Sequence, residues 1–396
     1  MVDKRESGED LVTLEPQFTY AIFGNSEKIF GFKKLSIDLT FAADTLLPLL
    51  EINWTERMDE SLGVDIEDLD GLMASFLPGD VYRDRKSWSI TCESCTKDFR
   101  PHGECQCSYA VAGKSYSIYK ASLKDKSFAP LLDRMQIFSI MYIEGASLID
   151  SEDDRFDVYT VYAESKGRYE FVGYCTCYKY FFYDRMNHSF EFVRYRISQF
   201  VILPNHQGHG HGGHLYDAIT ANCLADKNVL EITVEDPSEA FDDLRDRRDL
   251  LRLSNDEAFM SAANQLTIDK ETLLQLRRAL KLAPRQFARL LEMNRLRHEA
   301  SWSKKQIETY RHSVKERLFK KNKDILAELE PSQRLEKLEE TYQVQTADYK
   351  RLLNGLQRNG SFGSLNAKPS TGKAQGNGSR PSDLMDQAMR KKPRLV

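Results

Sequence analysis

No stretch of this 396-residue chain comes near 18 consecutive apolar residues, and its opening, MVDKRESGED, is too charged for a secretory leader. The expectation is a soluble, intracellular protein with no membrane partner. A surplus of one charge is also missing. The 56 basic and 60 acidic residues leave a net charge of -4, which argues against direct binding of nucleic acid by bulk charge. A basic partner would have to meet local acidic patches. Cysteines number only seven, and an intracellular setting disfavours disulfides. What remains is a globular composition, 41% hydrophobic and 29% charged, long enough for two or three domains and a sizeable core.

The most informative stretch is residues 196–236, RISQFVILPNHQGHGHGGHLYDAITANCLADKNVLEITVED. The apolar run Phe200 to Leu203 ends at Pro204 and opens into Gln207-Gly208-His209-Gly210-His211-Gly212-Gly213; Leu215, Ile219 and Leu224 then follow at helical spacing. A second strand, Val229 to Val234, stops at Glu235, Asp236 and Pro237. Glycines let a backbone approach an anion closely, and a helix N-terminus offers it unsatisfied N–H groups. Strand, glycine loop, helix and strand ending in carboxylates therefore read as an anion site beside a base. The loop lacks the Gly-Lys-Ser/Thr ending of a P-loop. It matches G-x-G-x-x-G by letters alone, because no early βαβ unit surrounds it. Four histidines, 206, 209, 211 and 214, make a metal site the obvious rival, but no Cys or carboxylate is interleaved among them. A plain strand-to-helix connection is the remaining alternative.

Gln207-x-x-Gly210-x-Gly212 resembles the Q/R-x-x-G-x-G/A signature of the GNAT acetyltransferases. Together with IFGFKKLSIDL, DFRPHG, YIEGASLID, RISQFVIL and ITVEDPSEAFDDLRD, in this order between about residues 18 and 350, the chain resembles the type B histone acetyltransferases within that superfamily. The resemblance implies an α+β fold: a GNAT-type mixed β-sheet flanked by helices, with a small N-terminal α/β domain and a C-terminal helical extension. It implies acetyl-CoA as co-substrate and no metal. Phe200, Val201 and Ile202 would pair with the pantetheine arm, and Gln207, Gly208, His209, Gly210, His211, Gly212 and Gly213 would hold the pyrophosphate, with Ser238 a further cofactor contact. Glu235 matches the general base, Glu144 and Asp236 the assisting acids, and Glu27, Tyr178 and Tyr180 the substrate groove. The implied substrate is the N-terminal tail of new histone H4, and the implied partner a WD-repeat histone-binding subunit, in nucleus and cytoplasm.

Read without the resemblance, several of these residues are ordinary. Glu27 is a solvated turn residue, Glu144 a helix-end acid, and Tyr178 and Tyr180 are half-buried strand tyrosines. Either Glu235 or Asp236 suits a base, since extended geometry sends neighbouring side chains to opposite faces. Cys223 lies mid-helix, poorly placed as a nucleophile. A histone-binding scaffold without turnover is the alternative function.

Taken in order, the sequence suggests a flexible 1–17, an α/β domain over 18–120, an acetyltransferase domain over 121–253, a helical domain over 254–356 and a disordered tail over 357–396. Leu35, Ile37, Leu39 and Phe41 alternate as in a half-buried strand, and Gly24-Asn25 reads as a turn between strands. Leu131 to Ile143 is helical; the acidic turn Asp150 to Arg155 precedes strands near Val158 to Tyr162 and Phe171 to Tyr183. With Glu144, the acids Asp150, Glu152, Asp153 and Asp154 would attract a basic tail. Cys92, Cys95, Cys105 and Cys107, with His102 between, leave open a zinc site, against which Cys105 and Cys107 begin a likely strand where alternate residues simply share a face. Ser254-x-x-Glu257 reads as a capping box, and 304–350 as one long helical pattern. The final Arg390-Lys391-Lys392-Pro393-Arg394 suits a nuclear import receptor.

Overall fold

In the computed structural model, residues 2–4, 10–59, 66–184 and 188–358 are described. The chain divides between Asp236 and Pro237 into two compact units.

In the first unit, the alternation from residue 35 to 41 yields strand β1 (Ser36–Phe41), which pairs antiparallel with β2 (Pro48–Asn53). Ile37, Leu39 and Phe41 pack onto the main core. Gly24-Asn25 does not join two strands. It follows a short helix, Tyr20–Phe23, because the Glu27 carboxylate turns back to accept from Thr19 N and Thr19 Oγ1. Helix α1 (Arg85–Asp98) begins at Asp84, whose carboxylate accepts from Ser87 N at 2.8 Å.

The main sheet has six strands: β3 (Glu104–Val111), β4 (Lys114–Ser122), β5 (Phe156–Ser165), β6 (Arg168–Asp184), β7 (Ser189–Ile202) and β8 (Val229–Val234). Their order is β8-β7-β6-β5-β4-β3, and only β7 and β8 are parallel. A parallel pair needs a crossover, here helix α3 (His211–Ala225). Helix α2 (Ala129–Tyr142) covers the other face. Val158 and Tyr162 of β5 share a core with Leu132, Met135 and Phe138 of α2, whereas Tyr159, pointing the other way, accepts a hydrogen bond from Asn222 of α3 at 3.2 Å. Cover on both faces explains why Phe156 to Ala163 is buried throughout rather than alternating. The expected mixed sheet with flanking helices is therefore the observed fold.

The second unit is helical: α4 (Glu239–Leu253), α5 (Glu257–Ala263), α6 (Lys270–Ala279), α7 (Pro284–Leu296), α8 (Lys304–Lys321) and α9 (Pro331–Arg358), around a core including Leu253, Phe259, Leu290, Met293, Val314 and Leu352. Ser254 is not an N-cap. Its hydroxyl donates to Leu251 O at 2.7 Å at the end of α4, and Asp256 caps α5 by accepting from Phe259 N at 2.8 Å. Pro284 opens α7, where a missing N–H costs nothing. Residues 304–350 are broken at Asn322 and again at Pro331. The basic cluster 390–394 lies outside the described residues.

Candidate active site

The site is built on β7. Its parallel pairing with β8 runs from Val193↔Val229 to Ile197↔Val234, while its pairing with β6 continues to Ile202. A bulge against β6 sets Thr176 opposite Gln199 and Cys177 opposite Ile197, which leaves Ser198 as the extra residue. Beyond Ile197, then, β7 goes on past the end of β8. Phe200, Val201 and Ile202 lie on that extension; the Val201 side chain is 3% exposed and sits in the core, so its outward resource is backbone.

The loop follows at once. Gln207 Nε2 donates to Ile202 O at 2.8 Å, folding the loop's first side chain back onto the strand end. Gly208 and Gly210 have φ of +78° and +89°, and a Cβ at either would meet nothing within 4 Å. The need for glycine is conformational there, and the space above it is open, as a bound phosphate requires. Gly210 is the N-cap of α3, so the helix presents its N-terminal amides to this space. The two histidines behave differently. His209 is exposed, its Nδ1 3.4 Å from His206 O. His211 is 2% exposed, with Nδ1 2.9 Å from the Tyr109 hydroxyl and its ring 4.3 Å from Tyr116. Burial, helped by the neighbouring histidines, lowers its pKa from 6.5 to about 4. His206 reaches back to Glu170 on β6 at 3.2 Å, and that contact holds the Glu170 carboxyl below its usual range.

Two acid-bearing loops converge on β7. Glu235 N donates to Ile197 O at 2.9 Å, fixing the first residue past β8. The two acids are not on extended backbone as expected: both lie in a bend, and Asp236 has φ of +32°. That conformation is costly for a residue with a Cβ, though least so for Asp and Asn, and it re-aims the chain at the strand end. From the other side comes the turn after α2, which carries exposed Glu144. Gln199, 5% exposed, donates from Nε2 to Ser147 O at 2.9 Å and to Ser139 Oγ at 3.3 Å. Gln136 Oε1 accepts from Ile149 N at 2.5 Å, and Tyr20 OH accepts from Gly145 N at 2.6 Å. Glu27 lies in the adjoining N-terminal segment, whose Gln17 and Phe18 amides both bond Met141 O.

On β6, Tyr178 and Tyr180 stand 4.6 Å apart as edge-to-face rings, each under a guanidinium: Arg155 at 4.8 Å and Arg196 at 4.2 Å. Arg196 also donates to the Tyr180 hydroxyl at 3.0 Å and lies 3.6 Å from the Glu235 carboxylate. One arginine thus joins the acid at the end of β8 to the tyrosines of β6.

Three family models match: the GNAT acetyltransferase family over residues 129–241, the N-terminus of the histone acetyltransferase HAT1 over 1–144, and the C-terminal part of fungal HAT1 over 246–300. The type B histone acetyltransferase catalytic subunit of Kluyveromyces lactis is 36% identical over 353 residues, covering 87% of each chain. That of Schizosaccharomyces pombe is 35% identical over 356 residues, 90% of this chain and 91% of its own. The chain belongs to the type B histone acetyltransferase catalytic subunits. Among solved structures, an aminoglycoside acetyltransferase from a soil metagenomic sample aligns with 35% of this chain and 87% of its own, at 20% identity and a TM-score of 0.24.

As a member of the GNAT superfamily, this type B subunit is an acetyltransferase of a class that uses acetyl-CoA. Some residues singled out from sequence have local duties. Ser238, in the second unit, caps α4 by accepting from Phe241 N at 3.3 Å. Of the acids in the 150–154 turn, Glu152 pairs with Lys126 at 2.9 Å and Asp153 with Arg155 at 2.6 Å, so part of that charge is already answered. Cys95, Cys105 and Cys107 are exposed rather than packed, and no cluster of potential metal ligands occurs among the described residues. Cys223 is 2% exposed. No helix among the described residues is long and apolar enough to cross a membrane. Arg196 and Gln199 were missed by sequence reasoning. A glutamine amid the buried positions of RISQFVIL was the available signal, since a buried amide must be bonding something.

Proposed function

We propose that this chain transfers an acetyl group from acetyl-CoA to a lysine amine in the N-terminal tail of newly made histone H4, by direct attack without an acyl-enzyme. The observation that carries the reading is the convergence on β7 of the glycine loop, the Glu235 bend and the Glu144 turn. Acetyl-CoA supplies the thioester. Phe200, Val201 and Ile202 offer backbone to its pantetheine arm and polarise the carbonyl. Gln207 through Gly213, with the N-terminus of α3, take its pyrophosphate.

A lysine amine is neutral in only about one part in a few thousand near pH 7, so the attack needs a proton acceptor. Glu235 takes that proton, with Glu144 and Asp236 assisting. Glu27, Tyr178 and Tyr180 line the lysine's approach. Asp150 and Asp154, which have no ion-pair partner among the described residues, favour a basic tail. A WD-repeat histone-binding subunit is the expected partner, with the protein in cytoplasm and nucleus and the 390–394 cluster read by an import receptor.

The test is transfer from labelled acetyl-CoA to an H4 N-terminal peptide, against the same peptide with every lysine replaced by arginine. Transfer to the first alone supports the reading. No transfer, even to intact H4 with the WD-repeat subunit present, would leave a non-catalytic histone-binding scaffold.

A further inference from the structure

Far in sequence from the glycine loop and Glu235, though only a few residues beyond Glu27, the first unit holds an open cavity of about 440 Å³ beside β2. Its walls combine aromatic rings with carboxylates. Phe32 and Trp54 form an aromatic corner, with ring centroids 5.5 Å apart and planes at 65°, and Trp54 is 47% exposed. Four carboxylates, Glu51, Glu67, Asp68 and Asp70, line the same space against two guanidiniums, Arg57 and Arg83.

The balance favours a cation. Arg83 is engaged with Asp70 at 2.7 Å, and Glu51 with Arg85 from outside the cavity. Glu67 and Asp68 are exposed and have no ion-pair partner among the described residues. An anion such as a nucleotide phosphate would meet this unanswered negative charge, whereas an ammonium or guanidinium gains from both the carboxylates and the indole face. The Arg57 guanidinium sits 5.9 Å from the Phe32 centroid, at the outer reach of a cation–π contact.

We propose that this cavity is a second docking point for the protein substrate, seating a lysine or arginine side chain that lies outside the acetylated segment. The inference rests on the reading of the substrate as a basic histone, and it goes beyond that reading by separating where the substrate is held from where it reacts. A tail peptide alone would then use the reacting site only; an intact histone would use both, with a larger dependence on salt.

The experiment compares wild type, Trp54→Ala and the double variant Glu67→Gln/Asp68→Asn, each in the full chain. Steady-state kinetics use intact H4 and the short N-terminal peptide. A labelled Lys- and Arg-rich H4 fragment beginning after the tail is titrated in parallel by fluorescence anisotropy. The expected result is a KM for intact H4 raised about 3- to 10-fold in both variants with kcat kept, unchanged constants for the short peptide, and fragment affinity weakened by a similar factor. Unchanged fragment affinity in both variants overturns the proposal. So does an equal rise in KM for the short peptide, which would place the effect in the fold or the reacting site. Wild type that binds the fragment through Trp54 but transfers acetyl to neither substrate sinks the proposed function and leaves the docking point standing.

Discussion

His211 sits in the loop at a position the GNAT signature leaves unspecified, yet its side chain is among the most constrained there. It is buried against Tyr109 and Tyr116 at the first turn of α3. Its folded pKa of about 4 against 6.5 in an unfolded chain sets the sign of a pH effect. Between those values the unfolded state binds the proton and the folded state does not. The contribution is therefore full above pH 6.5 and is lost as pH falls towards 4, by at most about 3 kcal/mol. Denaturant titrations of wild type and His211→Phe at several pH values in that window should show a shallower loss in the variant; parallel curves would contradict the assignment. The glycines and histidines of this loop were visible in the sequence, but which histidine turns inward was not. That choice is made by Tyr109 and Tyr116, which lie about a hundred residues earlier.

Among elements, the order strand, glycine loop, α3 and β8 was readable, because an apolar run, a Gly-rich turn and helical spacing each have their own period, but the apolar run Phe200–Leu203 marked only the end of β7, which starts at Ser189. The β8 bounds, Val229–Val234, coincide with those expected. The bend at Asp236 was not readable, since a positive φ at a residue other than Gly is imposed by surroundings. For the loop, Gly210→Val should cost ~1–2 kcal/mol from the left-handed backbone and weaken acetyl-CoA at least ~10-fold, read by thermal melting and calorimetry. Unaltered affinity would remove the loop from cofactor binding. For the Glu144 turn, Gln199→Leu removes the amide that holds Ser147 O. Its buried partners should lose ~1–3 kcal/mol, and turnover should fall with acetyl-CoA affinity kept. If Gln199→Leu lowers turnover as much in a Glu144→Gln background as alone, the turn is not what Gln199 acts through.

For the molecule as a whole, the composition pointed to helices beyond residue 252 but not to what holds them. In the second unit, polar residues of α7 face inward: Gln286 bonds Asp246 and Asp249 of α4 at 3.0 Å each, Arg289 pairs with Asp246, and Glu292 pairs with Arg317 at 2.6 Å and accepts from Tyr349 OH at 2.9 Å. Charge in a helical pattern over 304–350 commonly marks a solvated face, yet Arg317 in that stretch turns to buried Glu292. Arg317→Met should leave Glu292 buried without its cation and destabilise this unit by ~3–5 kcal/mol in chemical denaturation; a loss under 1 kcal/mol would deny the pair that role.

In the proposed reaction a carboxylate at the end of β8 takes the proton from the attacking amine. The most direct test of this step is Glu235→Gln against wild type, with acetyl transfer to the H4 peptide and acetyl-CoA affinity measured on the same preparations. Turnover of Glu235→Gln should be lower by ~100-fold or more near neutral pH, with affinity for acetyl-CoA within a few fold. Turnover within a few fold of wild type would contradict it and move the base to another of the convergent acids.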